Sequence, residues 1–166
     1  EVYEVAQFQL TFDVHMALLR EVARRHVPQR PHVLALLCDV LHQVLAQLDP
    51  LSAVDAAQVA LDSMLYLLEC GFVLPVLHAV LELSRSLDNS LVRHFLARLL
   101  DLAAPPYSAP FVAATVRLMH EFPARDSLLA LPAARDFLAH VRTLADDELD
   151  GTTIAQVRAL VSAATP

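Results

Sequence analysis

The stretch "DNSLVRHFLARLLDLAAPPYSAPFV", residues Asp88–Val112, contains one complete helix signature followed by a break in the chain. On a helical wheel, its first part places apolar side chains on one half and polar side chains on the other. The apolar half consists of Leu91, Val92, Phe95, Leu96, Leu99, Leu100, Leu102 and Ala103. A face this wide exceeds a two-helix seam, so it predicts a helix packed between two neighbours.

The break after this helix predicts a rigid elbow. A capping residue within Asp88–Ser90 starts the helix, and Pro105 cannot continue it. Pro106 extends the break, and Ser108 is placed to cap the next helix. We expect the ring of Tyr107 to be buried between the fifth and sixth helices of the chain, since a tyrosine ring packs while its hydroxyl seeks a partner.

The same helical periodicity runs along the rest of the chain. Helices are predicted at about 12–26, 31–48, 52–70, 72–86, 89–104, 109–121 and 132–145, with a short turn at 126–131. Residues 1–10 fit either a strand-like segment or the end of a truncated helix. Ser52 and Asp55 have the spacing of a capping box at the start of the third helix, and Gly71 suits the position after its end.

Helix starts recur about every 20 residues, which gives helical pairs of about 40 residues. With such short connections, consecutive helices are expected to pack as antiparallel neighbours. The predicted fold is all-α: an antiparallel helical array, a HEAT/armadillo-like right-handed stack of about seven to eight helices. Residues 1–145 are expected to form this helical-repeat domain, and 146–166 an acidic turn followed by a short terminal helix or tail.

Composition narrows the classes of function. The 166 residues carry a net charge of −7, and 56% of them are hydrophobic. The acidic balance argues against a general nucleic-acid-binding surface. No uninterrupted apolar run reaches the about 18 residues that a membrane-spanning helix needs, so we expect no membrane partner. The excess of apolar residues must therefore be buried inside the chain or against other proteins.

One cluster of basic residues lies near the end of the first helix. The cluster contains Arg20, Arg24, Arg25 and Arg30, with His26 among them. One interpretation is a solvated helix end, where arginines are also favoured by the helix dipole. The other is a contact patch for RNA, DNA or an acidic partner segment, although no aromatic side chains are interleaved to stack bases.

No motif predicts catalysis or cofactor binding. The eight histidines and two cysteines form no paired metal-ligand spacing, and two glycines are too few for a phosphate-binding loop. The stretch "DDELDGTTI", Asp146–Ile154, imitates a calcium loop, but its twelfth position is Val157 instead of a bidentate glutamate. We therefore predict no enzyme activity, no metal site and no cofactor.

The order of several motifs resembles a known family. They are Gly71, Val73, Leu74, Pro75 and Val76; Ser90, Leu91, Val92, Arg93 and Phe95; Asp101, Ala104, Pro105, Pro106 and Tyr107; and Phe111 and Val112. In this order they resemble the C-terminal part of the negative elongation factor C/D family (NELF-C/D), also called trihydrophobin. The segment Ala134–Thr143 is similar to the family's last helix, and the resemblance covers about residues 60–143.

The resemblance implies a nuclear, non-catalytic helical scaffold. Members of that family pair with the A-type member of the negative elongation factor, associate with its B-type member, and help to hold RNA polymerase II in promoter-proximal pausing. The pair formed with the A-type member is associated with single-stranded nucleic acid, but this acidic segment is expected to make protein contacts instead. Two alternatives stay open: a generic HEAT/armadillo-like adaptor unrelated to transcription, and an all-α enzyme that uses histidine or a metal.

Overall fold

The computed structural model describes residues 2–48, 50–144 and 149–164. Within these ranges the chain is all-helical and contains no strand, as the sequence predicts. The helices are α1 (Val2–Arg25), α2 (Arg30–Gln47), α3 (Pro50–Glu69), α4 (Val73–Leu83), α5 (Asn89–Leu102), α6 (Ala109–Glu121), α7 (Arg125–Leu129), α8 (Pro132–Val141) and α9 (Gly151–Ala164), with a 3₁₀ turn at Val27–Gln29. None of these described helices is long and apolar enough to cross a membrane.

The helices on either side of the elbow begin where the sequence predicts. Asp88 is the N-cap of α5: its Oδ1 accepts hydrogen bonds from the Ser90 amide at 2.7 Å and the Ser90 hydroxyl at 2.6 Å. Ser108 occupies the N-cap position of α6, but its hydroxyl makes no capping hydrogen bond. Residues 103–108 between the two helices are non-helical, and the Pro105–Pro106 peptide bond is cis.

Three helices begin earlier than the sequence predicts. The first helix begins at Val2, so the strand-like interpretation of the opening residues fails; they contain neither glycine nor proline to stop helix propagation. The third helix begins at Pro50, a residue favoured in the first turn, which places Ser52 and Asp55 inside the helix instead of at a capping box. The last helix, which the sequence predicts at Thr153–Ala164, begins at Gly151.

The fourth helix is shorter than predicted, because two serines bond back to its last turn. The hydroxyl of Ser84 donates to the Leu81 carbonyl at 2.7 Å, and that of Ser86 donates to the Leu83 carbonyl at 2.8 Å. Such local bonds give the backbone an alternative to further helical turns. The helix predicted at 132–145 also ends early, at Val141. Residue 145 and residues 146–148 of the predicted acidic turn lie outside the described residues.

Gly71 ends α3 in a Schellman motif. Its amide donates to the Leu68 carbonyl at 2.8 Å, and the amide of Phe72 donates to the Leu67 carbonyl at 3.0 Å. The φ angle of Gly71 is 87°, in the left-handed region that favours glycine. This confirms the sequence interpretation of Gly71 as the residue that follows the helix end.

Residues Glu1–Val76 form the first compact unit, unit 1. Its helices α1, α2 and α3 all pack against one another, with α2 and α3 closest. Among the described residues, the completely buried side chains of this bundle include Ala23, Leu37, Leu41, Ala57, Ala60, Leu61 and Met64. The alanines among them allow short interhelical distances, because helix separation is set by side-chain size at the contact.

Residues Leu77–Pro166 form the second compact unit, unit 2. Its closest helix pairs are α6 with α9 and α5 with α8, while α7 contacts α6, α8 and α9. The members of each pair are three helices apart along the chain, whereas the short connections predict that consecutive helices are nearest neighbours. The short helices α7 and α8 turn the chain back, so that α8 lies on α5. The three largest fully buried side chains are Phe95, Phe122 and Phe137.

Candidate partner-binding surfaces

The elbow before α6 is anchored by a cluster of rings. The Tyr107 ring lies 5.7 Å from that of Phe111 on α6, 5.1 Å from that of Phe137 and 5.2 Å from that of His140, both on α8. Phe111 and Phe137 also meet edge to face at 6.2 Å. Tyr107 therefore packs against rings of α6 and α8, and α8 is a neighbour that the sequence does not predict. Phe137 and His140 are brought to Tyr107 because the chain turns back through α7 before α8 begins. Helical periodicity does not predict this turn.

Tyr107 is only partly buried, and burial is the main cause that raises the pKa of its hydroxyl. The negative charge of Asp136 raises this pKa further. The hydroxyl is therefore un-ionised at neutral pH, and the side chain acts as a packing element with a polar tip. A raised pKa makes this hydroxyl a weaker acid than an ordinary tyrosine.

The other residues that resemble the family motifs fall into a buried group and an exposed group. Leu91 and Phe95 belong to the core of unit 2. The exposed positions are Gly71, Pro75, Ser90, Arg93, Asp101, Pro105 and Pro106, while Phe111 is half-buried. Gly71 and Ser90 act in helix ends, and the Nε of Arg93 donates to the Ser127 carbonyl at 3.3 Å, which links α5 to α7. Most of the motif thus shapes unit 2, and Pro105, Pro106 and Asp101 face solvent.

Two of the clustered arginines hold unit 1 together. The Nε of Arg20 on α1 donates to the hydroxyl of Ser63 on α3 at 3.0 Å, and that hydroxyl donates to the Val59 carbonyl at 2.9 Å. The Nε of Arg30, at the start of α2, donates to the Ala23 carbonyl of α1 at 3.1 Å. These guanidinium groups bridge pairs of helices, so part of their capacity to donate is used inside the unit.

The other two arginines share one carboxylate. Arg24 donates to both carboxylate oxygens of Glu21, at 2.9 and 2.7 Å, and the Nε of Arg25 donates to Oε1 of the same group. The hydrogen bonds from Arg24 and then Arg25 lower the pKa of Glu21 to about 2. Glu21 therefore stays ionised and offsets one of the two positive charges. The geometry favours the solvated-helix-end interpretation of the cluster over a concentrated anion-binding patch.

Unit 1 exposes large apolar side chains that the helical periodicity alone does not distinguish from buried ones. The side chains of Val14 and Leu18 on α1 are 60% and 59% exposed, Val27 in the 3₁₀ turn 58%, and Leu36 on α2 50%. Val14 and Leu18 are four residues apart and so share one face of α1, away from buried Met16. The sequence shows this spacing, but it does not show which face of α1 the neighbouring helices cover.

A groove in unit 2 runs between the ends of α4 and α6. It has a volume of about 480 Å³ and is lined by His78, Leu81, Glu82, Arg85, Arg117 and Glu121. The Nε of Arg117 lies 3.0 Å from one carboxylate oxygen of Glu121, and an Nη of Arg85 lies 4.0 Å from the other. The groove therefore carries both signs of charge, on residues that sequence spacing alone does not bring together.

Metal-ligating side chains are not gathered anywhere in the described residues. Cys38 and Cys70 form no disulfide bond. Asp150, from the calcium-like stretch, caps α9: its Oδ1 accepts from the amides of Thr152 and Thr153 at 2.9 and 3.0 Å, and its Oδ2 accepts from the Thr153 hydroxyl at 2.6 Å. The Thr153 hydroxyl is the first cause of the lowered pKa of Asp150. Helix capping accounts for this carboxylate.

The comparisons with known proteins agree on one family. The family described as "TH1 protein" matches residues 2–145. Negative elongation factor D of Sus scrofa is 40% identical over 116 residues, and that of Mus musculus is 39% identical over 116 residues. Each alignment covers 67% of this chain and 20% of the relative, so the aligned chain spans about a fifth of the relatives' length. With the family matched over nearly all of its helices, the chain belongs to the TH1 protein family.

Proposed function

We propose that this chain is a non-catalytic scaffold segment of a negative transcription elongation factor, which promotes promoter-proximal pausing of RNA polymerase II. The observation that carries the proposal is the family match over residues 2–145, together with relatives named negative elongation factor D. In this proposal the segment works in the nucleus, through contacts with the A-type and B-type members of the factor and with the elongating polymerase.

The surface of unit 1 supports a role in protein contacts. Four large apolar side chains, Val14, Leu18, Val27 and Leu36, are at least half exposed to solvent. Exposed apolar side chains that lie near one another mark protein interfaces more often than isolated ones do. We assign the contact of unit 1 with other members of the factor to the Val14–Leu18 face of α1.

The charge distribution supports protein contacts over nucleic-acid contacts. The chain carries a net charge of −7, and Glu21 offsets part of the arginine cluster. Phosphate binding needs several unpaired cations along one surface. We propose that single-stranded nucleic acid is reached through the wider complex and not through this segment.

Affinity purification tests this proposal. The tagged protein, expressed in mouse cells, is expected to recover the other members of the negative elongation factor and RNA polymerase II from nuclear extract, as identified by mass spectrometry. Recovery of an unrelated complex in their place would overturn the assignment to transcriptional pausing.

A surface variant locates the contact. Leu18→Asp is expected to lower the recovery of the other members of the factor at least fivefold, because a charge then replaces an apolar contact. Ala46→Asp is the matched control: Ala46 is exposed on α2, outside the Val14–Leu18 face, and its replacement should leave recovery unchanged. Equal recovery by both variants, at unchanged melting temperature, would show that this face of α1 does not contact the other members.

A further inference from the structure

We propose that two adjoining grooves of unit 2 form one binding site for a peptide segment of a partner protein, in which an acidic residue lies next to a large apolar one. Arg85 and Arg117 bind the carboxylate of this segment, and the apolar floor of the second groove takes its apolar side chain. The shared wall of the grooves, the accessible guanidinium groups and the apolar floor carry the proposal, which is independent of the proposed function.

The two grooves share a wall near the ends of α4 and α6. The first, of about 480 Å³, is the groove described above. The second, of about 440 Å³, is lined by the same Arg85 and Glu121 and reaches the start of α5 at Asn89 and Val92. Each volume lies within the range of about 300–1,000 Å³ that is typical of ligand sites. Side by side, the grooves have room for two neighbouring side chains of one segment.

Arg85 and Arg117 are brought together by the ends of two helices. Helix α4 ends at Leu83, and Arg85 lies in the turn that follows. Helix α6 ends at Glu121, and Arg117 lies one turn before this end. The Nε of Arg117 donates to one carboxylate oxygen of Glu121 at 3.0 Å, and an Nη of Arg85 lies 4.0 Å from the other. Glu121 therefore has one guanidinium group near each of its carboxylate oxygens.

The accessible charge at this shared wall is positive. The side chains of Arg85 and Arg117 are 87% and 59% exposed, whereas that of Glu121 is 27% exposed. A guanidinium group has five N–H donors. Arg117 donates to Glu121 through its Nε, and Arg85 approaches Glu121 only to 4.0 Å, beyond hydrogen-bonding distance. The terminal nitrogens of both arginines can therefore bind a carboxylate from outside, in the bidentate manner that guanidinium groups favour.

The acidic residues of the first groove favour a single carboxylate over a polyanion. Glu82 is exposed and lines this groove together with Glu121. A chain of phosphates needs several cations along one surface, and here it would meet two negative charges as well. A lone acidic side chain has to reach only the guanidinium groups. The charge pattern therefore matches an acidic peptide segment better than a nucleic acid.

The second groove adds an apolar floor beside these arginines. The apolar side chains that line it are Leu87, Val92, Phe122 and Pro123. The first three belong to the core of unit 2, so their positions are fixed by packing, while Pro123 is exposed. An apolar side chain placed on this floor leaves water, which adds affinity to the charged contact. The two contacts together fix the direction in which the segment lies.

Phage display tests the proposal on the whole chain. The probe is a library of random dodecapeptides, selected on the wild-type chain and depleted on a chain with both Arg85→Gln and Arg117→Gln. We expect the recovered peptides to carry Asp or Glu within a few residues of Leu, Ile or Phe. Recovery of no peptide that prefers the wild-type chain, or of peptides enriched in Lys and Arg, would overturn the proposal.

A double-mutant cycle then tests the charged contact. The most enriched peptide, labelled with fluorescein, is compared by fluorescence anisotropy with a copy whose acidic residue is replaced by its amide. The amide copy is expected to bind the wild-type chain at least tenfold more weakly, and the doubly substituted chain should bind both peptides equally. A tenfold difference that persists in the doubly substituted chain would contradict a contact with these arginines.

A matched chain separates this contact from the loss of net charge. Arg135→Gln with Arg142→Gln removes two exposed arginines at α8, outside both grooves, and should keep the tenfold difference between the peptides. Circular dichroism checks that all chains are folded. Loss of the difference in this control would mean that net charge, and not the grooves, selects the peptide.

Two further measurements test the apolar contact and the class of ligand. A copy of the peptide whose apolar residue is replaced by serine should bind the wild-type chain at least tenfold more weakly. A thymidine dodecanucleotide, added as competitor, should leave the anisotropy of the bound peptide unchanged. Equal binding of the serine copy would overturn the role of the apolar floor, and displacement of the peptide by the oligonucleotide would show that the site binds nucleic acid instead.

Discussion

At the residue scale, two buried threonines of unit 2 have different hydrogen-bonding surroundings. Thr115 and Thr153 are both buried, yet the Thr153 hydroxyl donates to Asp150, while the Thr115 Oγ1 has no hydrogen-bond partner. Tyr107 is less buried than either, but three rings surround it. These differences in partners, more than residue type, decide what a substitution costs.

Replacing Tyr107 by alanine is expected to destabilise the protein by about 2 kcal/mol, below the cost of a fully buried aromatic ring, because Tyr107 is partly exposed. Urea denaturation followed by circular dichroism measures this change. Tyr107→Phe keeps the ring and is the control, with an expected change of about 0.5 kcal/mol or less. A loss of under about 0.5 kcal/mol in Tyr107→Ala would show that the ring cluster does not stabilise the elbow.

Replacing Thr115 by valine is expected to stabilise the protein by about 1 kcal/mol, because it removes a buried hydroxyl that has no partner while nearly keeping the shape. Thr153→Val is the matched control: it removes a hydroxyl that is bonded to Asp150 and should destabilise by about 1 kcal/mol. Urea midpoints at a constant m-value report both changes. A destabilising Thr115→Val would contradict the buried, unpaired environment of this side chain.

At the element scale, helix ends are set by capping interactions within a few residues, so they can be predicted from the sequence. Which helices pack against one another cannot be predicted in this way. Asp88, Gly71 and Pro105 each act within a few residues, so the sequence predicts them correctly. The neighbours of Tyr107 on α8 lie about 30 residues away, and helical periodicity contains no information about which faces meet. The ring cluster was therefore beyond prediction from spacing.

The cap of α5 gives a pH-dependent prediction. Hydrogen bonds from the Ser90 hydroxyl and then the Ser90 amide lower the pKa of Asp88 from its ordinary value of 3.8. A lowered pKa in the folded state stabilises the protein above the unfolded pKa, and this stabilisation disappears as pH falls through the folded one. Asp88→Ala is expected to cost about 1 kcal/mol at pH 7.

The same cap should contribute progressively less at low pH. Wild type and Asp88→Ala should therefore converge in stability as pH falls from 5 to 2, which urea midpoints measured across this range will report. Asp88→Asn is the control, since asparagine caps a helix without a charge and should lose little stability at pH 7. A constant difference between wild type and Asp88→Ala over this range would mean that the ionised carboxylate is not responsible.

At the scale of the whole molecule, the sequence predicts the all-α class because nearly every stretch between prolines repeats the helical period. The resemblance of residues 60–143 indicates the family that the comparison confirms over 2–145. The exposed face of α1 was missed, because periodicity does not tell which face the neighbouring helices cover. The right-handed stacking of the helices and the domain boundary after residue 145 stay predictions. Neither is determined by the local spacing of apolar residues.

At Gly71 the backbone conformation restricts the chirality of the residue that can stand there. Among the described residues it alone has a positive φ, and a Cβ built on it meets no heavy atom within 4 Å. The obstacle to any larger residue there is thus the handedness of the α-carbon and not the lack of space. A D-alanine would fit where an L-alanine is strained, so a mirror-image residue is the natural substitute at the point where α3 ends.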